Sequence, residues 1–332
     1  AGHQALFSYS EENCHAARQL HSPQTPPPFF QGLLPEPEAE ARVVDLGALV
    51  QFYSHPSKYL LENRLGIRPR SFQSSSEDRE NFNLNGLEQF LTRQAILNGR
   101  LQDPTLPDRY ALLNAAGCLP HGNSGKAAYD RLSQEVSEFM ATLSQYEGGA
   151  RPSVLPIDYQ APPFRMIGQI DGIYPGGRVW YRLAKLRPQD LLSCHIVHLA
   201  LVLNSEADVA CRSTLLCKDQ IWQFEKTEMA REHLDALLAL YWKGMQYPLA
   251  IYPRCSFEYA FQRIVKGKTR AQAIAAGRRR WNGGYFKKGE CDDVYLNLAF
   301  GQEDPFTGEF EDLSIQIYSP LFEGARLISD ER

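Results

Sequence analysis

The run FRMIGQIDGIYPGGRVWYRL, residues 164–183, limits the fold more than any other stretch of this 332-residue chain. Two segments, 164–174 and 178–183, carry β-branched and aromatic residues on either side of Pro175-Gly176-Gly177. Such side chains suit the pleated surface of a strand, and the Pro-Gly-Gly step supplies the conformations of a tight reversal. The pattern predicts an antiparallel hairpin. An isolated hairpin is not stable in water, so the fold must contain a larger sheet packed on helices.

Upstream the apolar period is helical. Leu46, Leu49, Val50 and Tyr53, then Tyr59, Leu60 and Leu61 after His55-Pro56, predict a Pro-interrupted helix over 45–66. Asp45 is its expected N-cap and Gly66 its stop. A second helix is expected over 85–100, capped by Asn85, with Leu87, Phe90, Leu91 and Ile96 on its apolar side. A third, over 124–146, carries Leu132, Val136, Phe139, Met140 and Leu143 in register. EGGARPS (147–153) ends this helical part. After the hairpin come an apolar helix over 189–203, strands over 209–217 and 220–225, and a helix over 227–246 starting at Thr227. Helical segments near 255–265, 269–280 and 309–322 complete the chain. The Pro-rich, acidic run 21–40 is expected to be an extended strap, docked through Phe29, Phe30, Leu33 and Leu34. There is no internal repeat. The fold class expected is α/β: a mixed sheet flanked by helices, plus a helical N-terminal portion. The divisions expected are 1–40 strap, 41–150 helical subdomain and 151–332 α/β domain.

Composition excludes some function classes. With 43% apolar and 22% charged residues the chain reads as globular. No apolar run approaches the roughly 18 residues of a membrane span, and no cationic start leads into a secretory core. The chain begins AGHQ, without Met, which suggests a fragment of something longer. Seven scattered cysteines without a CxxC pair suggest reduced thiols in a cytosol rather than a disulfide framework. A net charge of −4 argues against a basic nucleic-acid coat but leaves room for a local basic surface.

The hairpin places Asp171 on its first strand and Lys185 just after its second. This resembles the catalytic hairpin of PD-(D/E)XK nucleases, where an Asp and an acid-x-Lys hold a divalent metal that activates water. The acid two residues before the Lys is missing: Leu183 stands there. Leucine has no lone pair for a cation, and Mg²⁺ is held weakly by one carboxylate. Asp171 and Lys185 are then expected to form an ion pair, vestiges of a disarmed site. Asp190 is a possible substitute acid, but after Pro188 it reads better as a helix cap. An ordinary structural hairpin remains open as the plain alternative.

Residues 259–289 hold nine cations and no acid: Arg263, Lys266, Lys268, Arg270, Arg278, Arg279, Arg280, Lys287 and Lys288. Trp281, Tyr285 and Phe286 are interleaved. Phosphates attract such clusters and bases stack on aromatic faces. Arg278, Arg279, Arg280, Trp281, Lys287 and Lys288 are the candidate DNA-binding set. The competing reading is a solvated helix end with its aromatics in the core. Asn282-Gly283-Gly284 marks a tight turn there. HGNSGKAAYD (121–130) fails as a phosphate loop, since Pro120 replaces the first Gly and Ala127 the Ser or Thr after Lys126; Ser124 is read as an N-cap instead. Cys194 and His198 share a helical face but have no second ligand pair, so core packing is expected. His55 is expected to bond a carbonyl freed at the Pro56 kink.

Longer stretches carry a family resemblance. LVQFYSHPSKYLLENRLGI (49–67), GLEQFLTRQAIL (86–97), LALYWKGMQYPLAIYPRCSFEYA (238–260) and AAGRRRWNGGYFKKGECDDVYLNLAF (275–300) resemble, in order, segments of the exodeoxyribonuclease V gamma subunit family, RecC. HQALFS (3–8) resembles that family's lead into this region. The resemblance implies the C-terminal region of a RecC: a nuclease-like domain with a lost active site. It further implies partnership with RecB and RecD, contact with DNA, a role in DNA repair and recombination, and no membrane. It implies no cofactor in this chain, ATP and Mg²⁺ being used by the partner subunits. Two alternatives stay open: an active Mg-dependent nuclease with a displaced acid, and a module that contacts only protein.

Overall fold

In the computed structural model, residues 10–21, 29–69, 83–102, 109–205, 210–284, 287–301 and 303–330 are described. Tyr285, Phe286 and the HQALFS run lie outside them. The N-terminal elements are helix α1 (Glu11–His21), strand β1 (Val43–Asp45), α2 (Leu46–Ser54) and α3 (Pro56–Tyr59), which runs on as a π turn over Leu60–Arg64. Then come α4 (Gly86–Gln102), α5 (Tyr110–Ala115) and α6 (Gly122–Glu147). The sheet segment holds β2 (Ser153–Ala161), β3 (Phe164–Tyr174), β4 (Gly177–Arg182), α7 (Pro188–Asn204), β5 (Ser213–Cys217) and β6 (Gln220–Phe224). The chain continues with α8 (Ala230–Gly244), α9 (Pro253–Ala260) with a π turn over Phe261–Val265, α10 (Arg270–Asn282), α11 (Val294–Phe300), α12 (Gly308–Gly324) and β7 (Ala325–Asp330).

The seven strands form one mixed sheet in the order β1-β3-β4-β5-β6-β7, with β2 also paired to β3. β1 runs parallel to β3 and β4 parallel to β5; the other pairs are antiparallel. Parallel neighbours need a crossover, and α7 supplies it. Alternation along β4 faces its residues to two cores. Trp180 packs on the larger cluster, shared by β1, α2, β3, α7, β5, α8 and α12. Val179 and Leu183 pack into a second cluster, built with Leu216 by α4 and α6 through Ile96, Leu97, Leu132, Val136 and Leu143. A third gathers Tyr252, Cys255, Tyr259, Leu296 and Phe310 around α9, α11 and α12. Full burial of one such side chain stabilises the fold by about 1.5–3 kcal/mol. Residues 43–54 thus feed the sheet core, and 86–143 the second cluster on the opposite side of β4.

The mixed α/β sheet is as expected, with instructive departures. The hairpin ladder is short: only Ile173↔Arg178 and Tyr174↔Gly177 pair, and β3 instead finds most of its partners in β2. Sequence reading passed over β2 because Pro156 interrupts its alternation. Proline is tolerated in an edge strand, where its missing N–H faces outward, while Ile157, Tyr159 and Ala161 turn inward. Helix α4 buries Thr92, Ile96, Leu97 and Gly99, leaving Leu87 and Leu91 exposed, because its contact with α6 uses the later turns. Ser124 is not an N-cap. Helix α6 begins two residues earlier, and the Ser124 hydroxyl donates to the His121 carbonyl. Gly125 answers the phosphate-loop question physically: a Cβ there would stand 1.9 Å from the Pro120 carbonyl oxygen. Helix α8 starts at Ala230, three residues after Thr227, whose hydroxyl accepts from the Met229 N–H instead. The strap docks by backbone, Leu34 N–H to the Gln246 carbonyl, and through buried Pro37, while Phe29 and Leu33 stay exposed.

Asp45 and Asn85 cap α2 and α4 as expected, each accepting helix N–H groups on Oδ1. His55 bonds an amide rather than a freed carbonyl. Its Nδ1 accepts from the Lys58 N–H, which leaves the proton on Nε2 to reach Asp293 Oδ2 at 3.2 Å. Asp293 in turn caps α11, so His55 ties two helix N-termini together. No helix of the described residues is long and apolar enough to cross a membrane.

Candidate functional site

Asp171 lies three residues before the end of β3 and is exposed. Continuing the register of Ile173 with Arg178 and Tyr174 with Gly177 sets it opposite Trp180, not opposite Leu183. Gly172 beside it takes φ +76°, with the Val179 carbonyl oxygen 2.6 Å from where a Cβ would be. Leu183 follows the end of β4 and is 2% exposed, packed in the second cluster. Lys185 is exposed in the loop before α7. Among the described residues Asp171 and Lys185 form no ion pair, contrary to the pairing expected from sequence; the strand ends too early to hold the lysine against β3.

Asp190 has other duties. It sits in the first turn of α7 and reaches back to accept the Arg187 N–H at 3.1 Å, and it pairs with the Arg182 guanidinium at 2.8 Å. Both members of that pair are largely shielded from solvent. This is the cap expected of Asp190, made from inside the helix rather than at its N-cap position.

The charge that the hairpin does bury is positive. Arg178, the first fully strand-bound residue after the turn, donates to Cys194 Sγ at 3.8 Å, and its Nε has no partner. Burial pushes its pKa down, opposed by Cys194 and the Asp171 carboxylate. Sequence reasoning missed this residue, since nothing local distinguishes it from a surface arginine. Cys194 and His198 are core groups. Burial raises the Cys194 thiol to about 11, and both His198 ring nitrogens are bonded, to Ser213 Oγ and the Glu225 carbonyl at 2.9 Å. Burial lowers His198 to about 4. Burial, with neighbouring His198 and His233, lowers His195 to about 3. Among the described residues no disulfide joins any of the cysteines. Among the described residues no group of three His, Cys, Asp or Glu is arranged to hold a metal.

The basic segment is divided by the fold. Thr269 opens α10 with a capping box: its hydroxyl accepts the Gln272 N–H while the Gln272 side chain accepts its own. Acids distant in sequence then neutralise three cations. Arg270 meets Glu311, Arg278 meets Asp304 at 2.6 Å, and Arg280 meets Glu258 at 2.8 Å. The Arg278 guanidinium also lies over the Phe306 ring, 4.7 Å from its centroid. Trp281 is half-buried, edge-on to Tyr252 at 5.1 Å and near Phe306. Arg279, Lys287 and Lys288 are exposed, with no carboxylate in ion-pair range among the described residues.

A built turn presents the lysines. Gly283 ends α10 at φ +69°, and a Cβ at Gly289 would stand 2.0 Å from the Trp281 carbonyl oxygen. Buried Glu290 then anchors the turn: its carboxylate oxygens accept the Arg254 and Cys255 N–H groups, both at 2.8 Å, at the start of α9. Arg254 also donates to the Lys288 carbonyl at 3.1 Å. Glu258, Glu290, Asp304 and Glu311 carried no sequence signal, because their partners are 22–41 residues away along the chain.

The model of the RecC C-terminal domain family matches residues 41–264. The chain is 26% identical over 329 residues to the RecBCD enzyme subunit RecC of Escherichia coli K12, covering 95% of this chain and 28% of that protein. It is 25% identical over 207 residues to the RecC subunit of Haemophilus influenzae, covering 60% of this chain and 18% of that one. Over 264 residues it is 22% identical to RecC of Buchnera aphidicola from Acyrthosiphon pisum, covering 76% and 24% respectively. The chain spans less than a third of the length of these curated relatives. With two thirds of its residues matched by that family model, the chain belongs to the RecC C-terminal domain family.

Proposed function

We propose that this chain is a non-catalytic, nuclease-like domain of a bacterial, cytoplasmic RecC-type subunit, with RecB- and RecD-type partners in a helicase–nuclease that repairs DNA breaks. It scaffolds that assembly and guides DNA strands, while ATP and Mg²⁺ are used by the partners. The observation that carries the reading is Leu183. At the place where a PD-(D/E)XK nuclease offers its second acid, this chain has an apolar side chain buried in the second core. Asp190, the nearest candidate for a displaced acid, is committed to Arg182 and to the first turn of α7. Of the candidate set, Arg279 near the end of α10 and Lys287 and Lys288 after the glycine turn are free of acids and have charge to spare for phosphates. Arg278 and Arg280 would contact DNA only by giving up or sharing their carboxylates, and Trp281 supports the turn from the core.

The full-length subunit, incubated with labelled single- and double-stranded DNA and Mg²⁺ or Mn²⁺, is expected to leave both substrates intact. Cleavage that disappears in Asp171→Ala would establish the alternative, a nuclease with a displaced acid.

A further inference from the structure

Among the described residues β1, β2 and β7 each pair with a single neighbour, and the last two are not equally protected. β2, at one edge, carries Pro156 and Asp158, the latter paired with Arg165 at 2.6 Å, and turns Ile157, Tyr159 and Ala161 inward. These are devices that keep an edge from pairing with other chains. Among the described residues β7, at the other edge, pairs only with β6. It has no proline, and its consecutive residues Leu327 and Ile328 are 41% and 50% exposed. The pairing with β6 shifts there, leaving Ile328 as the extra residue of a bulge; that bulge and Arg326 are this edge's own protection, set beside two exposed apolar side chains. Beside this edge lies a groove of about 650 Å³, walled by Leu327, Trp222, Phe257, Phe261 and Phe322.

We infer that β7 and this groove receive an extended segment of another protein, which adds a strand to the sheet; the inference rests on the reading of the chain as an assembly subunit. Outward N–H and C=O groups of an edge strand are matched by a second peptide backbone. The charges argue for protein over nucleic acid. Of the cations lining the groove, Arg280 is paired with Glu258, and Arg254 faces Glu290 at 3.7 Å. Asp219 adds a further negative charge to the lining. With Glu258 and Asp219 in the lining and Glu290 buried behind Arg254, the groove offers a phosphate chain little net positive charge. Lys266 on the rim, over the Phe261 ring, and Arg326, which lines a separate cavity beside Glu323, are both exposed, with no carboxylate in ion-pair range among the described residues. The segment that fits therefore presents an apolar side chain to Leu327 and the phenylalanines, and carboxylates to Lys266 and Arg326.

Hydrogen–deuterium exchange of the full-length subunit, alone and in the complex purified from its own cells, tests this. The amides of 325–330 are expected to exchange at least tenfold more slowly in the complex. Leu327→Glu, at an exposed position that should leave the circular dichroism unchanged, is expected to abolish that protection. A complex that forms with β7 exchanging as in the free subunit overturns the inference alone; failure to copurify with other subunits overturns the proposed function and this inference together. Protection of β7 by a twenty-nucleotide oligo(dT) without other subunits would make the occupant nucleic acid. Protection that rises with the concentration of the isolated subunit would make it a second copy. Either result contradicts the inference.

Discussion

In the β3–β4 hairpin a single carboxylate, Asp171, faces solvent, and the position expected to carry its mate is a leucine sealed into the core. At the end of α10 the reverse holds: cations accumulate, and the fold brings acids from far along the chain to some of them and not to others. The two regions show why a motif must be read through the fold. A metal site needs two or more oxygen ligands converging on one point, so on the proposed reading one missing carboxylate and a strand that stops short are enough to disable it. A phosphate-binding surface needs only unneutralised positive charge held in place, and pairing three of the nine cations with acids leaves such charge available.

The contrast can be broken most sharply at the hairpin. Leu183→Asp restores the acid of the motif but puts a carboxylate among Val179, Leu216, Phe139 and Leu143. It is expected to destabilise the protein by about 3–5 kcal/mol in urea unfolding, without creating cleavage. The next largest effect comes from the histidines beneath the sheet. His195 and His198 have folded-state values of about 3 and about 4, below the ordinary 6.5. The unfolded chain therefore binds more protons in that window. Their contribution to stability is complete above pH 6.5 and is lost as pH falls toward the folded values, by at most about 1.4 kcal/mol per pH unit for each. Denaturant midpoints between pH 7 and pH 5 should fall accordingly.

At the basic end, Glu290→Gln keeps the size of the anchor but removes the charge that holds two N–H groups at the start of α9. A loss of about 1–2 kcal/mol is expected in thermal or denaturant unfolding. The smallest change in stability and the clearest change in binding belong to the exposed cations. Reversing Arg279, Lys287 and Lys288 to Glu is expected to leave stability within about 0.5 kcal/mol. It should weaken single-strand DNA binding by about tenfold or more at low salt and flatten the salt dependence. Arg278→Ala, which frees Asp304 at an exposed site, should weaken it less. Equal binding by both variants and the wild type would reduce the chain to a protein-contact module.

Much of the fold was legible because its signals are local. The Asp45 and Asn85 caps, the turn at Asn282-Gly283-Gly284 and the period change at 147–153 all act within a few residues. β2 was hidden by Pro156, and β7 and α11 are short runs whose apolar pattern does not separate strand from helix. The site was legible only as composition. That Leu183 is buried, that Asp190 is engaged with Arg182, and that Arg278 and Arg280 are neutralised depends on contacts between elements, as does the core position of Trp281. Arg178 had no signal at all, since a buried cation is betrayed by its neighbours and not by its own letter.

The central claim is that no pair of carboxylates converges at this hairpin, and Mn²⁺ titration of the full-length subunit, followed by calorimetry and by the electron paramagnetic resonance signal of the free ion, tests it directly. The account predicts no saturable site below millimolar Mn²⁺, and identical titrations for wild type and Asp171→Ala. A tight, stoichiometric site that vanishes in Asp171→Ala would contradict it.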